Sequence, residues 1–257
     1  MEVHAHSHTE RKKFTHYLWE FLMLFLAVFA GFLAENQREH IIEHKRAKEY
    51  AKSLLIDLQN DTADIRKASN YEILVDKIID SLVGFVSRSD LSQKTGQLYY
   101  YIRLAGSIYT VDWNKATLNQ LINSGNLRYF TNPQLVNKIS LYNTTQNIIA
   151  IQEQTILEHR LRSFAYKDHL LIPQYVLAFS QLSIDNLIAG KKNSFIDSLR
   201  NADLPLQDQS AVYLESFVNA VLAAKGNIEG LVLRTYPKSI MEATEIMEML
   251  KKEYHLK

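Results

Sequence analysis

Hydrophobic positions in this chain follow two regimes. The first is a solid block near the start. Phe21–Leu33 is thirteen residues without a charged or strongly polar side chain, and with its flanks the block reaches twenty-one, Phe14–Ala34. As a helix, that length crosses roughly 30 Å of hydrocarbon. The second regime is periodic. From Glu35 to about Phe85, apolar or small residues recur at helical spacing: Ile41, Ala47, Ala51, Leu54 or Leu55, Leu58, Ile65, Ala68, Leu74 or Val75, Ile78, Leu82 and Phe85. A one-sided stripe of this length predicts one long amphipathic helix, or two collinear ones, in need of a partner face.

The pattern continues helical to the end. Ser87–Gln97 is polar and reads as a loop. Leu98–Leu104, LYYYIRL, has moderate strand propensity but no second strand to pair with, so a helix is expected. Leu118, Leu121 and Ile122 mark a short helix, and Gly125 is a stop signal because glycine takes the left-handed cap geometry readily. Asn132-Pro133 reads as an N-cap with proline in the first turn. The helix it opens should run to about Tyr166 on Leu135 or Val136, Ile139, Tyr142, Ile149 and Ile156. A further helix starts near Pro173, and Asn201–Asp208 is a loop. Two closing helices are expected, about Gln207–Arg234 and Lys238–Tyr254, separated by Pro237. The predicted fold class is all-α: a short polar tail (1–13), one transmembrane helix (14–34), and an extramembrane domain (35–257) in which a long amphipathic helix joins a helical-bundle body.

The flanks of the block decide between a buried core helix and a span. Arg11, Lys12 and Lys13 precede it, Tyr17 and Trp19 suit a membrane interface, and the chain turns polar at Glu35. Ala-Gly-Phe-Leu-Ala-Glu lacks a small-x-small cleavage pattern, so an uncleaved anchor is expected rather than a signal peptide. Three basic residues precede the span, and four follow it over a wider window, Arg38, Lys45, Arg46 and Lys48. The tighter cluster favours a cytoplasmic N-terminus and a periplasmic body at a bacterial inner membrane. Glu20 sits one residue before the apolar run, either as a boundary residue or as a contact in an oligomer or pore. Ala27 and Gly31 form a small-xxx-small pair that permits close helix approach.

Composition narrows the chemistry. The 257 residues carry a formal net charge of +1 and no cysteine. There is thus no basic excess for a nucleic-acid partner, no disulfide and no thiol chemistry. Walker, dinucleotide-binding, zincin and nucleophile-elbow patterns are absent. His4, His6, His8 and His16, and the His40–His44 pair with Glu39 or Glu43, have metal-ligand residue types, but neither set has an identified further ligand. Asp57, Asp61 and Asp64 share a helix side and read as a solvated acidic face ahead of a cation site. His159, Arg160, Arg162, Lys167 and His169 read as a charged, solvated helix end ahead of an anion or lipid-headgroup site. No cofactor or metal is expected.

Trp19–His40, WEFLMLFLAVFAGFLAENQREH, followed by EYAKSLLIDLQND at Glu49–Asp61, resembles an uncharacterised family of small membrane proteins common in Bacteroidetes. Ala116–Asn143 is similar to that family's second recurrent block. Leu121 and Ser124-Gly125-Asn126-Leu127 fit it, while Thr117-Leu118 stands where the family usually has Thr-Tyr. The resemblance implies one span and a helical body, and brings no active site. Ser124, Gly125 and Asn126 are either a structural turn or a ligand-facing corner. The functional expectation is a noncatalytic envelope scaffold, sensor or accessory subunit, with membrane lipids, a second copy of itself and an envelope protein as partners. The alternatives are a homo-oligomeric channel or transport-associated complex, and a membrane-anchored enzyme whose pocket would be sought at Tyr99–Tyr109 and Arg160–His169.

Overall fold

A computed structural model describes residues 14–88 and 94–256. The sequence readings for residues 1–13, including His4, His6, His8 and Arg11–Lys13, lie outside the described residues. The chain divides into two units, Met1–Tyr50 and Ala51–Lys257. Helix α1 (Phe14–Arg88) contributes residues to both.

In the first unit, every residue from 14 to 41 is exposed. Phe21 stacks on Phe25 and Phe25 on Phe29, at centroid distances of 6.3 and 5.9 Å, along one helix edge. Among the described residues, α1 is the one helix long and apolar enough to cross a membrane. Ile41, placed on the buried stripe by its spacing, is 63% exposed; burial begins at Ala47.

The second unit is all helical among the described residues, apart from one isolated antiparallel bridge, Leu171–Leu206. Its core is organised by a seven-residue repeat. The most deeply buried positions that α1 contributes to this unit are Ala51, Leu54, Leu58, Asp61, Ile65, Ala68, Glu72, Val75, Ile79 and Leu82, spaced alternately three and four. Helix α2 is Thr95–Ala105 and α3 is Ala116–Asn123. Helix α4 (Pro133–Leu170) shows the same repeat at Leu135, Ile139, Tyr142, Gln146, Ile149, Glu153, Ile156, Arg160 and Ser163. That spacing keeps one narrow seam facing a partner helix along the whole length. The start of α4 is as expected: the Asn132 side chain accepts from the Gln134 and Leu135 N–H groups at 3.0 and 3.4 Å, with Pro133 in the first turn.

Short helices α5 (Pro173–Ala178), α6 (Ile184–Ile188) and α7 (Ser194–Arg200) follow, then α8 (Ala211–Gly230) and α9 (Tyr236–Tyr254). The closing pair is not separated at Pro237. A π-helical turn, Leu231–Thr235, joins α8 to α9, and Pro237 sits in the first turn of α9. Proline lacks an N–H and its ring collides with the carbonyl four residues back, which in a regular helix forces a break. The wider turn absorbs that misfit, and the Thr235 hydroxyl donates to the Gly230 carbonyl at 3.3 Å. Buried positions therefore continue through the junction, from Phe217, Val221, Ala224, Ile228 and Leu231 to Tyr236, Ser239, Ala243, Ile246 and Leu250. Lys225 on α8 bonds Asp76 of α1 at 2.7 Å, and Lys138 on α4 pairs with Glu245 of α9.

Helix α2 is held by its first turn. The Gly96 N–H donates to the Ala202 carbonyl at 3.0 Å, and a Cβ there would lie 2.0 Å from the Leu199 carbonyl oxygen. Only glycine allows this approach. The Tyr99 hydroxyl donates to the Pro205 carbonyl at 2.7 Å and accepts from the Ile172 N–H at 2.9 Å. One side chain thus ties α2 to two segments remote in sequence.

Candidate functional site

The segment between α2 and α3 has no regular structure, yet it lies against two helices. Its N–H groups need acceptors there, and carboxylates supply them. Asp64 accepts from the Tyr109 hydroxyl at 2.8 Å and the Asp112 N–H at 2.7 Å. Asp61 accepts from the Asn114 N–H at 2.8 Å, the Tyr142 hydroxyl at 2.9 Å and the Gln146 amide at 3.0 Å. Asp57 accepts from the Thr117 N–H at 3.3 Å in the first turn of α3, and Glu153 from the Val111 N–H at 3.1 Å. The three aspartates do share one side of α1, as their spacing indicates. They form a brace for residues 109–117, not a solvated face, and Asp61 is 1% exposed. Burial pushes the Asp61 carboxyl above its ordinary range, against the pull of the Asn114 and Tyr142 donors.

Arg160 also departs from its expected place. It sits fully buried on the α4 seam, and its guanidinium meets Glu72 of α1 with the shorter contact at 2.7 Å. Burial raises the Glu72 carboxyl and the guanidinium offsets part of that rise. Glu153, one layer along, accepts from the Tyr236 hydroxyl at 3.3 Å. Burial raises its pKa to about 7, opposed by the Val111 and Tyr236 donors. The signal for these buried charges was present. Asp61, Glu72, Glu153 and Arg160 occupy the three- and four-residue repeat of their own helices, and a charge at such a position must find a buried partner.

The other members of the predicted basic cluster diverge. Arg162 is exposed, and His169 stacks on Tyr213 at 4.4 Å. Lys167 and Arg160 belong to different environments. Lys167 lines a cleft of about 600 Å³ formed by α2, the end of α4, and α5 with the turn after it. Its floor is Tyr99, Ile102, Leu171 and Phe179, all nearly inaccessible, with the Tyr99 and Phe179 rings stacked at 6.1 Å. Phe164 closes one wall. It approaches Gly106 so closely that a Cβ at that position would lie 2.6 Å from its ring. The rim carries Arg103, Lys167, Asp168, Leu177 and Ser180. The lining contains no histidine, and Asp168 is engaged with Lys167 at 3.5 Å. This set of groups offers apolar contact and charge.

Glu20, Ala27 and Gly31 lie on one side of α1 in the first unit, all exposed. The Glu20 carboxylate faces His16 one turn earlier, at 3.0 Å. Ser124, Gly125 and Asn126 form the turn from α3 into a 3₁₀ turn, Asn126–Tyr129. Gly125 has φ 67° there, and the Ser124 hydroxyl donates back to the Gln120 carbonyl. His40 approaches Glu43 at 4.0 Å. Among the described residues no three His, Asp or Glu side chains are grouped to hold a metal ion.

Comparison with known proteins returns no matching family model, no matching curated protein and no matching solved structure.

Proposed function

We propose that this chain is a noncatalytic, single-pass membrane protein of a bacterial inner membrane, working as an envelope scaffold, sensor or accessory subunit in a homo-oligomer. The observation that carries this reading is the exposure of α1. An unbroken run of large apolar side chains, including Phe21, Leu24, Val28 and Phe32, stands open to the surroundings. An exposed apolar surface of that extent is not stable in water, and a bilayer satisfies it. The same helix later supplies the Ala51–Leu82 seam of the bundle, so the span and the body core share one element. Glu20, Ala27 and Gly31 fall on one helix side, which suits contact with a second copy's span and with lipid headgroups at its edge. Membership of the Bacteroidetes single-span family belongs to this reading, on Trp19–His40, Glu49–Asp61 and Ala116–Asn143.

Membrane fractionation tests the anchor. The full chain is expected to stay with membranes through an alkaline carbonate wash and to leave them only in detergent. Release by carbonate refutes the span. Reporters inserted after residues 8 and 90 are expected to read cytoplasmic and periplasmic respectively, and mass measured in nanodiscs across a dilution series reads the oligomer. A monomer at every concentration refutes self-association.

A further inference from the structure

The geometry points to the cleft between α2, the end of α4 and α5 as a binding site for a small amphiphilic carboxylate, with a short acyl or aryl tail on the floor and its head at Arg103. This deepens the sensor reading above by giving it a ligand class.

Three observations support the assignment. The cleft's volume, about 600 Å³, lies within the roughly 300–1,000 Å³ usual for small-molecule sites, and it is lined mainly by apolar and aromatic groups. The fold covers the floor closely but leaves the α5 side open: α5 buries none of its residues, and Leu177 at the rim is 72% exposed. The charges at the rim are unbalanced. Lys167 is compensated by Asp168 and lies 5.0 Å from the centre of the Phe164 ring. Arg103, exposed at the rim, meets no carboxylate and no aromatic ring among the described residues. With no such partner among the described residues, the Arg103 guanidinium matches a ligand with one carboxylate and a tail, because its fork donates to two carboxylate oxygens together.

The full chain in phosphatidylcholine nanodiscs can be titrated with terminally trifluorinated octanoate and followed by fluorine NMR. Saturable line broadening beyond that of empty discs is expected, displaced by octanoate and not by octanamide, which has the same tail without the charge. Arg103→Gln is expected to weaken binding by about tenfold or more, the cost of a charge-assisted contact, and Arg103→Lys to restore part of it. Leu177→Glu, which adds a like charge at an exposed rim position, should weaken it in the same direction. Neither position is buried, so both variants keep the fold. Doping the discs with oleic acid separates the sources. Displacement by bilayer-resident oleate identifies a membrane-derived acid, and displacement only by octanoate identifies a soluble one; either supports the site. Broadening no greater than in empty discs, equal displacement by octanamide, or unchanged affinity in Arg103→Gln overturns it. If carbonate washing releases the chain, the same titration runs without discs, so the anchor and the cleft fail separately.

Discussion

The buried Glu72–Arg160 pair makes the fold sensitive to a single change. Arg160 is fully buried and the side chain of Glu72 is 2% exposed. Arg160→Met leaves a carboxylate in the core without its cation, a loss of about 3–5 kcal/mol. For a body of this size, each kcal/mol moves the unfolding midpoint by about 2–4 °C, so a fall of about 6–20 °C is expected. The double variant, Glu72→Met with Arg160→Met, removes both charges and fills the seam with apolar volume. It should recover most of the loss. The pH dependence has a definite sign. Without the guanidinium, burial is the largest influence left on Glu72, opposed by the Tyr109 N–H and reinforced by Asp76, and it holds the folded pKa above the unfolded value. Such a group stabilises the fold at acid pH and loses that contribution as pH rises, so the Arg160→Met deficit should shrink on acidification. Thermal unfolding of the full chain in a mild detergent, read by near-ultraviolet circular dichroism in the tyrosine band, follows the packed tyrosines of the body. A double variant as unstable as Arg160→Met alone, or a single variant within about 1 kcal/mol of the parent, would refute the reasoning.

Three further changes test other contacts. Glu153 has its pKa raised to about 7, so it binds a proton more tightly folded than unfolded. The body should lose up to about 3 kcal/mol as pH climbs from below 5 through 7, and Glu153→Gln should flatten that part of the midpoint-versus-pH curve; an unchanged curve counts against the assignment. Asp61→Ala strands the Asn114, Tyr142 and Gln146 donors and is expected to cost about 3 kcal/mol or more in urea unfolding. Asp61→Asn should cost clearly less, because the Gln146 carbonyl oxygen, buried without a partner, can accept from the new amide; equal losses would sink this account. Gly96→Ala drives a Cβ onto the Leu199 carbonyl and should cost about 3 kcal/mol, seen as a lower midpoint, whereas a parent-like midpoint would mean that α2 does not sit against residues 199–202.

Much of the architecture was legible because it is local. Asn132-Pro133 caps and opens a helix wherever it occurs, Gly125 takes the left-handed turn its chemistry allows, and a three-and-four apolar repeat selects a helix face without reference to any partner. Pro237 was misread for the same reason. The local rule says that proline ends a helix, and only the widened turn at Leu231–Thr235, held by packing on both sides, lets the seam continue. The cleft was approached from its two halves, Tyr99–Tyr109 and Arg160–His169. Its third wall, α5 and the turn to Ser180, carried no chemical signal to suggest that it would join them.

By itself the sequence determined an all-α chain, one apolar helix of membrane-spanning length near its start, and the repeat on which the bundle is built. These follow from side-chain polarity at fixed helical periods, a property of short stretches. The tertiary structure alone decided what the charged residues on those repeats do. Asp61 and Glu72 are separated from Gln146 and Arg160 by 85 and 88 residues, and a carboxylate is the same residue whether it faces water, a backbone N–H or a buried guanidinium. Its role is set by what the fold brings to it, and that information is distributed over helices that meet only when the bundle closes.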